Sequence, residues 1–375
     1  MKKKLLIDAI STSSGGAISH LYFLLDNFDQ QKYFEYVEVH VPFETMCKLP
    51  RNNKIKYVFY KKLEKFLIFR IFWQVVILNL TLIFKKFDAI FITGGSHFIF
   101  YKNNVVTISQ NLLPFVDKEV KKYFFELFYF KLILLKITQS ISFKFSKGII
   151  FLHKYSKKII LNQIGKVNKK TKIIPHCINL NLKIIKNTIN KKIRIIYVSN
   201  IDYYKNHAFI ISAMNELYAE QPELKKKIFF EFYGNEYRPA RINLDFLLEK
   251  SKDIQKNFKF CGHVDKKKIY KNKKGYSTIS LFSSSCENFS VSLLEAFYIG
   301  LPILCVSLQP MRSVIQNYAH FYKHNSKKDF KKQLLNLIDN LKSIRNNKKN
   351  KKKFLINYHP KLIALKTYKF LHQMV

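Results

Sequence analysis

Glu287 and Glu295 are separated by seven residues in SSSCENFSVSLLEAFYIGLP, residues 283–302. Acids are scarce in this chain, which sets 66 Lys and Arg against 25 Asp and Glu. Ser290 is placed to cap a helix through Leu293, Leu294 and Ala296, and Gly300 with Pro302 ends it. Two readings of the pair follow. Locally, Ser292-x-x-Glu295 has the form of a capping box. Chemically, Glu287 follows the strand-like run YSTISLFSS, and Glu295 falls one turn into a helix whose start can hold phosphate. Two carboxylates around such a start would repel a bare anion but accept hydroxyls, which suits a nucleotide-sugar.

Other residues could share that chemistry. Lys205, in VSNIDYYKNH, lies just beyond another strand-like run and could neutralise a diphosphate; in so basic a chain it could equally be a solvated surface charge. Ser14-Gly15-Gly16 stands between a first strand and a helix, where backbone can approach an anion, although a tight turn explains it as well. No G-x-G-x-x-G is present there. His153 and His176 sit near strand ends as acid/base candidates, with packing the preferred reading for both. Gln110-Asn111 ends a further strand and offers neutral hydrogen-bonding groups.

These residues need elements to position them. KKLLIDAI, YVEVHVP, IKYVFY, FDAIFITGG, VVTISQ, KGIIFLH and KIIPHCI read as strands alternating with helices in the first half. NLNLKIIKNTINKK reads as a linker. IRIIYVSN, KIFFEFYG, FKFCGHV, YSTISLFSS and LPILCVS then restart the alternation. IRNNKKNKKKF reads as a solvated run, and the end of the chain as an amphipathic helix. The pattern predicts two doubly wound α/β domains, with ligands at the carboxyl ends of the strands in a cleft between them. Residues 1–180 form the first domain in this reading and 181–355 the second. Residues 356–375 form a helix packing back on the first.

The formal net charge of +41 attracts polyanions: phosphorylated substrates, an anionic lipid surface or nucleic acid. Five scattered cysteines form no C-x-x-C, so neither a zinc site nor a disulfide framework is indicated, and a reducing cytosol fits. The first apolar run is too short for a signal peptide. In FLIFRIFWQVVILNLTLIF (66–84), Arg70, Gln74 and Thr81 share one helix face, which favours a buried or surface-docked helix over a membrane span. KKYFFELFYFKLILLKI (121–137) repeats the mixture of aromatics, leucines and lysines. Together the two helices suggest peripheral membrane contact, with core helices carrying a solvated lysine edge an equal alternative.

Glu287-x7-Glu295 in this setting resembles the E-x7-E signature of family 4 retaining glycosyltransferases of the GT-B fold. Gly15-Gly16 with His20 is similar to the family's N-terminal glycine loop, and Ile174-Pro175-His176-Cys177-Ile178-Asn179 to its I-P-H-G-I-D element. Tyr197-Val198-Ser199 through Lys205, Phe232-Tyr233-Gly234 and Phe260-Cys261-Gly262-His263-Val264 follow in the family's order. The resemblance implies a GT-B architecture: two Rossmann-like doubly wound domains facing each other across a cleft. It implies that Glu295 binds the donor's ribose and Glu287 the sugar's hydroxyls. Phe289, Ser290 and Val291 would present backbone N–H groups, and Gly262, His263 and Val264 would hold the base. Lys205, with Glu287 the catalytic pair, would stabilise the departing diphosphate without an essential metal. Gly16 would lie near the donor phosphates, with Gly15, Gln110 and Asn111 on the acceptor side. The chain departs from the family in having no arginine in Ser199-Asn200-Ile201-Asp202, in Gln110 at a common histidine, and in Cys177 in place of a glycine.

The expectation is a glycosyltransferase that moves a sugar from a nucleotide donor to a glycan or lipid-linked acceptor, in cell-surface polysaccharide or lipopolysaccharide synthesis. It would work in the cytoplasm, on the inner face of an anionic membrane, with no cofactor and no specific nucleic-acid partner. The alternatives are a basic nucleic-acid-binding protein and a GT-B nucleotide-sugar epimerase.

Overall fold

The computed structural model describes residues 3–12, 15–61, 67–99, 104–165, 167, 169–185, 190–271, 273–342 and 354–375. The chain forms two compact units, Met1–Cys177 with Phe354–Val375, and Ile178–Lys353.

The first unit is built on seven parallel strands: β1 (Lys4–Asp8), β2 (Tyr36–Pro42), β3 (Ile55–Tyr60), β4 (Ala89–Ile92), β5 (Val105–Ser109), β6 (Gly148–Phe151) and β7 (Lys170–Ile173). Their order is β3-β2-β1-β4-β5-β6-β7, so the winding reverses between β1 and β4. Strands β4, β5 and β6 are buried along their whole length, which explains why they read as continuous apolar runs. The sequence places the last strand over KIIPHCI, but β7 ends at Ile173. Pro175 has no N–H for a ladder and restricts the residue before it.

Helices Gly15–Asp26 and Pro360–His372 pack together, with the Tyr368 hydroxyl donating to the Leu24 carbonyl at 2.8 Å. Ile363, Ala364, Tyr368 and Leu371 are buried in that contact layer. The right-handed crossovers after β3 and β5 place their helices on the other face of the sheet. The first of these is Leu67–Phe72 and Leu78–Phe84 joined by a π-helical turn, Trp73–Ile77; the second is Leu127–Phe145. Of the polar stripe of the first helix, Gln74 is buried beside Trp73, Leu78 and Leu82, while Arg70 and Thr81 are half-buried. Gln74 is buried and donates to Asp8 Oδ2 at 2.9 Å and to the Ser96 carbonyl at 3.2 Å. Among the described residues no helix is long and apolar enough to cross a membrane.

The second unit has six parallel strands: β8 (Lys192–Val198), β9 (Ile228–Tyr233), β10 (Phe258–Phe260), β11 (Tyr276–Phe282), β12 (Ile303–Val306) and β13 (His320–Tyr322). Their order is β10-β9-β8-β11-β12-β13, with the reversal between β8 and β11. A polar network fastens β8 to its neighbours. Arg194 Nε donates to Glu231 Oε2 at 2.6 Å, its guanidinium reaches Tyr233 and the Ile269 carbonyl at 3.0 Å, and Lys273 completes the charge balance on Glu231 at 2.9 Å. The run read as a linker contributes to this core, because Leu182 and Ile185 are buried against Ile299 and Leu301. Residues 186–189 of that run, and 343–353 of the Lys/Asn run, lie outside the described residues.

Candidate active site

Where a doubly wound sheet reverses its order, the two diverging loops leave room for a ligand beyond the strand ends. In the second unit those loops follow β8 and β11, and hydrogen bonds tie them together. Asn206, in the left-handed conformation at φ 58°, donates from its side chain to the Ser283 carbonyl at 2.9 Å. The Tyr204 carbonyl accepts from the Ser285 N–H at 2.7 Å and from the Ser285 hydroxyl at 3.1 Å. The Tyr197 hydroxyl donates to the Lys205 carbonyl at 3.0 Å.

Held this way, the Lys205 ammonium donates to Glu287 Oε1 and lies 4.7 Å from the centre of the Tyr204 ring. Both side chains of the pair are only 12% exposed. Burial alone would lower the Lys205 pKa, but Glu287, with Tyr204 and Tyr197, outweighs it and raises it above the ordinary lysine value. The ammonium therefore stays charged at any working pH. A charged lysine at a strand end is suited to meet a phosphate group.

Helix Val291–Ile299 starts in the same loop. Its cap is Ser290, whose hydroxyl accepts from the Leu293 N–H, and it ends at Gly300 with φ 92°. Ser290, not Ser292, begins the helix, so the capping-box reading of Glu295 fails. Glu295 instead accepts from Lys266 Nζ at 2.6 Å. Its side chain is 1% exposed and its Oε2 is buried without a hydrogen-bond partner. Burial raises the Glu295 pKa, with Lys266 opposing. A buried acid holding one unused acceptor oxygen is arranged to receive a hydroxyl.

Phe289 and Ser290 are buried and Val291 is half-buried at the helix start. Gly262, His263 and Val264 follow β10, with His263 exposed and Val264 packed on the cluster containing Tyr233 and Ile299. The Gly262 carbonyl accepts from the Gly234 N–H at 2.9 Å. A Cβ on Gly234 would stand 2.3 Å from the Ser199 carbonyl oxygen, so the loops after β8 and β9 can approach only through glycine. The second unit thus brings together Lys205 with Glu287 and Glu295 with Lys266, around one helix start.

The first unit holds the remaining candidates. Gly15 and Gly16 open helix Gly15–Asp26, while Ser14 lies outside the described residues. Gln110 donates to the Thr93 carbonyl at 3.1 Å, and Thr93 in turn hydrogen-bonds Thr12 at 2.8 Å, which joins the loops after β1, β4 and β5. Asn111 turns its side chain back onto the Leu113 N–H. His153 caps helix Lys154–Ile164 by accepting from the Tyr155 N–H. His176 is buried edge-on against His20, with ring centres 5.1 Å apart. Packing is the preferred sequence reading for both histidines; His176 packs, whereas His153 caps a helix.

Sequence reasoning misses three contributors. Lys266 carries no signal among so many lysines. Asn206 does carry one, since asparagine tolerates the left-handed turn that a helix start requires here. His207 stacks on Tyr197 at 4.8 Å and meets the Phe232 ring edge-on at 4.9 Å, with both ring nitrogens buried and unpartnered. Burial, helped by Lys205, lowers its pKa to about 3.

His20 and His97 are lowered by burial to about 4. Below the ordinary value of 6.5 the unfolded chain protonates these groups while the fold does not. Stability is therefore expected to be whole above that value and to fall with pH towards about 4, by up to about 1.4 kcal/mol per pH unit for each histidine. His207→Phe should flatten the fall in Tm between neutral pH and about pH 4. An unchanged slope would show that His207 is not held neutral.

Two α/β units, each with a parallel sheet that reverses its order once, define the GT-B architecture of glycosyltransferases. Residues 181–354 match the family described as glycosyl transferases group 1. Among solved structures, a sucrose-phosphate synthase from Thermosynechococcus elongatus superimposes with a TM-score of 0.76 at 11% identity, over 99% of each chain. A glycosyltransferase from Rickettsia africae gives 0.68 at 12%, over 100% of this chain and 98% of the other. Anabaena HepE in complex with UDP and glucose gives 0.60 at 14%, again over 100% and 98%. No curated protein matches the chain in sequence.

Proposed function

We propose that the protein transfers a sugar, with retention, from a nucleoside-diphosphate-sugar to a glycan or lipid-linked glycan acceptor. The observation that carries this reading is the pair of glutamates at the β8–β11 reversal, each matched to a lysine from another loop. The group 1 family supports it, as does the likeness to a structure holding UDP and glucose.

In this reading the free Oε2 of Glu295 accepts a ribose hydroxyl, and the N–H groups at the start of helix Val291–Ile299 face the diphosphate. Glu287 accepts the sugar's hydroxyls. Lys205 turns from Glu287 to the diphosphate as the bond from anomeric carbon to phosphate oxygen breaks. The electron pair leaves on the diphosphate, the acceptor's oxygen bonds the anomeric carbon, and the acceptor's proton passes to the departing phosphate oxygen. Stabilising that leaving charge with the Lys205 ammonium is transition-state binding and needs no metal in the step.

A panel of nucleotide-sugars read by thermal shift tests the proposal. At about a hundred times its dissociation constant the true donor should stabilise the protein by about 2.7 kcal/mol. Transfer from that donor should persist in excess chelator. If no nucleoside diphosphate or its sugar raises the Tm, the reading is wrong.

A further inference from the structure

Helix Leu127–Phe145 presents an apolar stripe at the surface of the first unit. Three uncharged polar side chains face the protein, beside the buried Leu132 and Phe143. Ser142 accepts from the His97 N–H at 2.8 Å, Thr138 hydrogen-bonds Ser96 at 3.2 Å, and Gln139 is buried beside Gly95. On the opposite side Phe130, Leu134, Ile137, Ile141 and Phe145 are exposed along one stripe. The stripe begins at Phe125, 97% exposed, and Leu127, 89% exposed.

The neighbouring helix extends this surface. Ser96 links the two, its carbonyl accepting from Gln74 and its hydroxyl bonding Thr138. Here too the glutamine points inward, while Phe69, Phe72, Ile83 and Phe84 are exposed, the last at 83%. Isolated surface apolar residues are ordinary; two adjacent stripes of aromatic and aliphatic side chains are not.

Charge identifies what covers them. Lys118, Lys121, Lys131 and Lys144 are exposed around the second stripe, and Lys85 and Lys86 end the first. Of the nearby acids, Asp117 and Glu119 are engaged by Lys136 and Lys122, and Glu126 is half-buried between Phe125 and Leu127. A second copy of a chain with a net charge of +41 would bring like charge to a lysine-edged face. An anionic bilayer brings the opposite charge and an apolar interior to receive the aromatics.

We propose that this face, led by Phe124, Phe125 and Leu127, docks the first unit on an anionic membrane surface with helix Leu127–Phe145 lying in the interface. The proposal does not depend on the donor or on the proposed reaction.

Co-sedimentation of the full chain with vesicles tests it, comparing pure phosphatidylcholine with vesicles containing about 30 mol% phosphatidylglycerol in about 0.1 M salt. The protein should pellet with the anionic vesicles and stay soluble with the neutral ones. Phe125→Glu with Leu127→Glu and Phe130→Glu should weaken binding at least about tenfold. Phe125→Glu alone, at a site that is almost fully exposed, keeps the test open if the triple variant misfolds. Lys121→Glu with Lys131→Glu and Lys144→Glu should remove the preference for anionic lipid. The proposal is overturned if the wild type ignores anionic vesicles, or if folded Phe125→Glu binds as tightly as wild type. It is also overturned if the wild type is a dimer that Phe125→Glu splits and that does not bind vesicles, since a second copy would then be the cover.

Discussion

Lys205→Ala is expected to lower turnover by about three orders of magnitude and to destabilise the second unit. Both effects come from the same ion pair. Removing the ammonium strands Glu287, whose side chain is 12% exposed, with no matching cation. Breaking a buried pair from one side costs about 3 kcal/mol, or roughly 10 °C in Tm for a unit of this size. Stability and catalysis can be separated by replacing both partners. Lys205→Met with Glu287→Leu removes both charges together, so the double variant should regain most of the lost Tm. It should regain none of the turnover, because nothing then meets the diphosphate. A Lys205→Ala enzyme within about tenfold of wild-type turnover would remove Lys205 from the reaction.

The second large effect has the opposite signature in stability. Glu295 is a buried acid whose pKa is raised by burial, so its charge is a cost to the empty fold. That cost is absent at low pH and appears as pH rises from the ordinary carboxylate value through the raised one. Glu295→Gln should therefore leave Tm unchanged or slightly higher at neutral pH. Donor affinity should fall about a hundredfold, the loss of a charged acceptor from a buried hydroxyl contact. Lys266→Met probes the same carboxylate differently. Without Lys266 the Glu295 pKa rises further, and donor binding should tighten as pH increases. If Glu295→Gln binds donor as tightly as wild type, Glu295 does not hold the ribose.

How much of this is legible in the sequence depends on whether the determinant is local. Strands β8, β9 and β11 stand out because IRIIYV, IFFEFY and YSTISLF are apolar runs bounded by Gly, Asn and Ser. Strand β13 is three residues, HFY, too short to show a period, and helix Lys327–Asp339 after it goes unread as well. Lys205 and Glu287 are visible as residues just past strand ends. Their contact is not, since it depends on β8 and β11 being neighbours, which only the sheet order supplies. Lys266 is hidden for the same reason and by the abundance of lysine. Periodicity shows that the first-unit helices have two unlike faces, but it is symmetric with respect to which one turns inward. The buried hydrogen-bonding of Gln74 and Ser142 decides that, and it belongs to the tertiary structure.

The place of helix Pro360–His372 sets an order of assembly. Residues 178–353, which make the second unit, are inserted within the chain of the first. A nascent chain thus has the whole second unit available for folding before the first can close. Until Tyr368 reaches Leu24 and Lys147 finds the Met374 carbonyl, Leu24 and Phe28 lack their cover. The unit begun first at the ribosome is the one completed last.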